Sequence, residues 1–99
     1  MLGARISELR SARNWTQVDL AKRLRVAKQT VSNWENENIQ PSIEMLMQLS
    51  KLFNVTTDYL LGTEDTPRIS VAGLPDTVVA HICLLIDDYR EALANIDNA

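Results

Sequence analysis

With a single cysteine, Cys83, the 99-residue chain cannot form an internal disulfide, and a lone thiol suits a reducing compartment, so a cytoplasmic location is expected. Long apolar runs are missing too. The longest, residues 78–86, is interrupted by His81 and falls far short of the roughly 20 residues a membrane span needs, so no membrane association is expected. Arg5, Glu8 and Arg10 stand where a secretory signal would place unbroken apolar sequence, which argues against export. The one histidine and the one cysteine are two residues apart on a helical pattern and point to different faces, so they cannot share a metal. Neither a phosphate-cradling glycine loop nor a nucleophile elbow is present. No metal, no cofactor and no catalysis are therefore expected. Glycine and proline number three each, few enough to leave the chain mostly helical, and 45% hydrophobic with 23% charged residues is ordinary for one small folded unit.

Basic residues are scarce after position 31. The first 31 residues hold Arg5, Arg10, Arg13, Lys22, Arg23, Arg25 and Lys28 against Glu8 and Asp19, a net charge of +5. The remainder holds three basic residues against eleven acids, a net of −8, so the overall −3 conceals two opposite halves. Uneven solvated helix faces would give such a split, and so would a polyanion-binding face joined to an acidic module.

Local signals divide the chain. Residues 4–13 read as a first helix with Ile6 and Leu9 inward and Arg5, Glu8 and Arg13 toward solvent. Thr16 with Asp19 forms a capping box, flanked by the Trp15/Leu20 staple, so a second helix begins at Gln17 and runs to about Leu24. A third, from Lys28 to about Asn36, buries Val31 and Trp34 and is capped only by Ala27, which offers no side-chain acceptor. Pro41-Ser42 opens a fourth over residues 43–53, and a fifth starts near Thr56 and ends at Gly62. Residues 63–74 lack periodicity and read as a flexible linker, with alternation at 69–71 suggesting a short strand. Pro75 opens the last helix.

The run Thr16-Gln17-Val18-Asp19-Leu20-Ala21, followed by Val26, Lys28-Gln29-Thr30-Val31-Ser32-Asn33-Trp34-Glu35-Asn36, Pro41-Ser42 and residues 53–62, resembles the Cro/cI-type, or XRE, helix-turn-helix family of bacterial and phage regulators. The resemblance covers residues 5–62. It implies an all-α, lambda-repressor-like bundle of five helices over residues 1–62 that binds double-stranded DNA, most naturally as a repressor on a pseudo-palindromic operator. In that geometry the third helix enters the major groove, with Lys28, Gln29, Ser32 and Asn33 reading bases. Thr16, Gln17, Thr30, Asn36 and Asn38 become phosphate contacts, and Gln17 matches the family's backbone-clamping glutamine. Arg10 and Glu35 match positions that commonly form a structural ion pair, and Trp15 and Trp34 occupy packing positions rather than base-stacking ones. Arg25 and Glu37-Asn38 stand where the family usually has glycine, so a different turn at Arg25 and a left-handed backbone at Asn38 are expected.

Residues 75–99 form a separate oligomerisation helix on this reading. Val78, Ile82, Leu85, Tyr89, Ala92 and Ile96 follow one another at spacings of 4, 3, 4, 3 and 4, with Val79, Ile86 and Leu93 every seven beside them. Such a stripe needs cover. A homodimer through Val78, Ile82, Leu85, Ile86, Tyr89, Leu93 and Ile96 is favoured over folding back on the bundle. The rival function is an antitoxin or anti-regulator whose last helix binds a partner protein, with autoregulatory DNA binding.

Overall fold

The computed structural model describes residues 1–97 and contains six helices: α1 (Leu2–Ala12), α2 (Gln17–Leu24), α3 (Lys28–Glu35), α4 (Ile43–Phe53), α5 (Thr57–Leu61) and α6 (Asp76–Asp97). Asn98 and Ala99, the end of the expected 75–99 span, lie outside the described residues. Helix starts follow the side-chain chemistry. The hydroxyls of Thr16, Ser42 and Thr56 accept from the N–H groups of Asp19, Met45 and Tyr59 at 3.1, 3.2 and 3.1 Å, and Asp19 Oδ2 accepts in return from the Thr16 N–H at 2.8 Å. Those hydrogen bonds, the one from the Thr16 backbone first, hold the Asp19 carboxyl below its ordinary range.

Helix α3 starts on Ala27, which has no side-chain acceptor, yet its φ −73° and ψ 151° match the capped starts at Ser42 and Thr56. A serine needs no backbone rearrangement there. Ala27→Ser is expected to add about 0.5–2 kcal/mol to the unfolding free energy, and roughly 4–8 °C of melting temperature for each kcal/mol. An unchanged thermal melt would show that this helix start is not limiting.

The ends of the five bundle helices share one device. In each, a residue with left-handed backbone (Asn14, Arg25, Glu37, Asn54, Gly62) donates its N–H to the carbonyl three residues back, and the next residue donates five back. Only one of these is glycine. Arg25 keeps the left-handed turn (φ 58°) instead of the different turn expected, and Glu37 (φ 60°), not Asn38, is the left-handed residue after α3. Because Asn38 donates to the Asn33 carbonyl at 2.9 Å and Glu37 to that of Trp34, the register of these two bonds assigns the strained position to Glu37.

Each bundle helix contributes one fully buried side chain, Ile6, Leu20, Val31, Leu49 and Leu60, and Trp34 and Phe53 join them. The two helices of the motif, α2 and α3, pack on each other, α1 packs on both α3 and α5, and α4 packs on α5. Gly3 makes the α1–α3 approach possible: a Cβ there would lie 2.6 Å from the carbonyl oxygens of Trp34 and Glu35.

Two further expectations are corrected. Arg5 is not free in solvent, since its Nη1 donates to the carbonyls of Tyr59 and Glu64 at the end of α5 and its guanidinium lies 4.0 Å from the centre of the Tyr59 ring. Its cation adds a second donor to the Tyr59 carbonyl, which also accepts from the Gly62 N–H, and ties the Glu64 carbonyl just beyond α5 to α1. The strand over 69–71 does not form, and the described residues contain no strand, because this segment has no second extended segment to pair with. Residues of the 63–74 segment hydrogen-bond to the bundle, as described below.

No helix among the described residues is long and apolar enough to cross a membrane. Among the described residues, helix α6 contributes none that is buried. Val79 and Ile82 are half-buried, while Val78, Leu84, Leu85, Ile86, Tyr89, Leu93 and Ile96 are exposed.

Candidate nucleic-acid interface

Helix α3 is amphipathic on a small scale. Val31 and Trp34 anchor it in the core, leaving Lys28 and Gln29 exposed and Thr30, Ser32 and Asn33 half-buried beside them. Two of the polar side chains are already organised. Gln29 Nε2 donates to Asn33 Oδ1 at 3.0 Å, which leaves Gln29 Oε1 as an acceptor and Asn33 Nδ2 as a donor. That is the complement of adenine N6–H and N7 on the major-groove edge. Ser32 Oγ accepts from Asn36 Nδ2 at 3.3 Å, so Asn36 is tied to the same face. Asn38 is exposed, with its side chain in none of the hydrogen bonds among the described residues.

The N-terminus of α2 presents a second set. Thr16 Oγ1 caps the Asp19 N–H, which leaves the N–H groups of Gln17 and Val18 as donors without intrahelical carbonyls. Gln17 Nε2 donates to Glu35 Oε1 at 3.2 Å, so the amide is held rather than swinging in solvent. A phosphate oxygen could meet the helix-end N–H groups and the remaining Gln17 amide hydrogen together.

Glu35 is the junction. It accepts from Arg10 Nε at 2.8 Å and Arg10 Nη2 at 2.9 Å, a two-pronged pair, while Arg10 Nη1 donates to the Trp15 carbonyl at 2.7 Å. The side chains of Arg10 and Glu35 are only 15% and 7% exposed, and the pair raises the Arg10 pKa above its ordinary value. One carboxylate thereby aligns α1, the start of α2 and the end of α3. The Gln17 amide and the end of α3 are thus linked through one carboxylate.

The electrostatics refine the charge count. Arg5 and Arg10 are turned inward, leaving Arg13, Lys22, Arg23, Arg25 and Lys28 as the exposed cations of the first 31 residues. Arg23 and Arg13 lie 4.0 and 5.3 Å from the Trp15 ring centre, and Trp15 rests against Phe53 with ring centres 6.0 Å apart. Trp15 and Trp34 thus serve packing. The Glu37 carboxylate accepts from the amino group of Met1 at 2.8 Å and the Gly3 N–H at 3.3 Å, and these contacts keep its pKa low. Sequence reasoning missed Gly3, Arg5 and Arg23, whose partners are all distant or inter-element.

The chain is similar to known proteins in sequence and in fold. The helix-turn-helix family profile matches residues 6–60. The HTH-type transcriptional regulator ImmR of Bacillus subtilis (strain 168) is 37% identical over 67 residues, covering 68% of this chain and 53% of ImmR. AnsR, an HTH-type transcriptional regulator of the same organism, is 42% identical over 60 residues, covering 61% of this chain and 52% of AnsR. The HTH-type transcriptional activator BcrR of Enterococcus faecalis is 39% identical over 61 residues, covering 62% of this chain and 30% of BcrR. This chain therefore spans about half the length of the first two and less of the third. A solved SinR protein/SinI protein complex shares the fold, with a TM-score of 0.59, 24% identity, and coverage of 93% of this chain and 99% of that one. The chain belongs to the XRE-type helix-turn-helix family of transcriptional regulators.

Proposed function

We propose that this chain is a sequence-specific double-stranded DNA-binding regulator, a repressor that grips a pseudo-palindromic operator as a homodimer. The observation that carries this reading is the polar edge of α3, which stands outward while Val31 and Trp34 fix the helix from behind. Lys28, Gln29, Ser32 and Asn33 read base edges in the major groove. Thr16, Gln17, Thr30, Asn36 and Asn38 hold the flanking phosphates, and Arg10 with Glu35 keeps the two sets in register. Residues 1–62 act as the reading domain, 63–74 as the connection and α6 as the pairing element.

Selection of bound DNA from a random pool tests it. Gln29→Ala is expected to relax preference at one or two positions by about 1–3 kcal/mol each, whereas Gln17→Ala weakens every sequence comparably. Equal loss on all sequences from the Gln29 change would remove its base-reading role.

A second reading is favoured by one observation, the exposed apolar face of α6. That face also suits an amphipathic helix of another protein, and the solved structure that shares this fold contains two proteins, SinR and SinI. If the purified chain stays monomeric until a partner protein is added, this reading replaces the homodimer.

A further inference from the structure

We infer that residues 63–74 are a fastened arm, and that Asn54 and Arg68, together with Arg5, set which spacing between two DNA half-sites the protein accepts. The inference rests on the paired binding proposed above.

The fastenings are consecutive. Thr63 donates through both its N–H and its hydroxyl to the Asp58 carbonyl, each at 3.0 Å, so the chain leaves α5 in a fixed direction. Arg5, with its side chain 20% exposed, reaches from α1 to the Glu64 carbonyl at 3.2 Å and to Asp65 Oδ1 at 3.4 Å. Within the arm itself, the Glu64 carboxylate lies 2.7 Å from Arg68 Nε, four residues on, an ion pair that braces the arm internally. Farther on, the Ser70 N–H donates to Asn54 Oδ1 at 3.4 Å, and the Ser70 hydroxyl accepts from the Ala72 N–H at 3.2 Å. The arm crosses the corner between α4 and α5 and leaves beneath it an open cavity of about 400 Å³, bordered by Lys51, Asn54, Val55, Arg68 and Ile69. Polar ties at its edges, more than packing, therefore hold it.

Magnitudes show why this matters for DNA. A free tether of this length would have a root-mean-square span of about 20 Å. Two such tethers in a dimer would let the reading helices settle over half-site separations differing by several base pairs at 3.4 Å each. A fastened arm confines α6 relative to α3 and makes one separation, near one DNA turn of roughly 34 Å, much better than its neighbours.

The test uses the full chain and a DNA pool in which two copies of the selected half-site are separated in single-base-pair steps. The variant is Asn54→Gly with Arg68→Ala. Glycine keeps the left-handed backbone found at residue 54 (φ 55°) while removing the acceptor, and Arg68 is 74% exposed, so neither change touches the core. Arg5 is left intact because it also holds α5. A one-base-pair change from the best spacing is expected to cost the parent about tenfold in affinity and the variant about threefold or less, with isolated half-site affinity unchanged. A spacing profile in the variant that matches the parent's would overturn the inference. A parent with no preferred spacing, binding half-sites independently, would overturn the paired-binding reading and take this inference with it.

Discussion

Glu35→Ala is expected to lower the unfolding free energy by about 3–5 kcal/mol, the range for breaking a desolvated ion pair by removing one partner. The cost is not the lost attraction. It comes from what remains: Arg10, whose side chain is 15% exposed, keeps its charge but loses the acceptor of Nε and Nη2, with only the Trp15 carbonyl left to it. Gln17 Nε2 loses its acceptor in the same step. Replacing both partners, Arg10→Met with Glu35→Leu, removes the orphaned charge and is expected to recover most of the stability. DNA affinity should then separate from stability, because the doubly substituted protein folds with Gln17 unanchored and its phosphate clamp no longer aligned. Urea unfolding of the parent and both variants, beside binding at one salt concentration, checks both statements. A loss below about 1 kcal/mol for Glu35→Ala would place the pair among ordinary surface ion pairs.

The parts of this architecture legible in the sequence are those decided within four or five residues. The Thr16/Asp19 capping box, the hydroxyl starts at Ser42 and Thr56, and the α2 and α4 boundaries all follow from local chemistry, and the structure has them at those residues. What escaped is decided at long range. Arg5 reads as a solvated charge on a helix face until α5 arrives 54 residues later to offer its carbonyls. Gly3 falls outside the first helix as read over residues 4–13, and its use appears only when the end of α3 lies against it. The left-handed residue after α3 was misplaced by one position because side-chain preference favours Asn38, whereas hydrogen-bond register and the contacts of Glu37 with the start of α1 favour Glu37. A local propensity of about 1 kcal/mol yields to two or three tertiary contacts. The linker reads as free for the same reason, since the bonds from Arg5 and Asn54 that tie it to the bundle come from distant elements.

Leu85→Asp combined with Leu93→Asp is expected to abolish self-association and lower operator affinity by about 10²–10⁴-fold, the advantage that linking two binding heads confers. Helix α6 is about 33 Å long at 1.5 Å per residue. Over that length Val78, Ile82, Leu85, Ile86, Tyr89, Leu93 and Ile96 hold to one broad face, and Leu85 and Leu93 are 55% and 60% exposed in the single chain. An apolar stripe this extensive, left in water, is a driving force for association. Carboxylates at positions already open to solvent cost the monomer little, whereas in a helix pair each would be buried without a partner. The pair 85 and 93 is preferred to a change at Ile82, which is half-buried in the chain itself. Affinity for a single half-site and the thermal melt of the bundle should stay at parental values, since α6 contributes nothing to the core. Sedimentation gives the decisive reading. A parent that sediments as a dimer and a variant that sediments as a monomer support α6 as the pairing surface, and an unchanged mass in the variant would move that surface elsewhere on the molecule. A parent that is itself monomeric leaves the acidic flanks of α6, with Asp76, Asp87, Asp88 and Glu91 against Arg90, to a partner helix carrying the opposite charge.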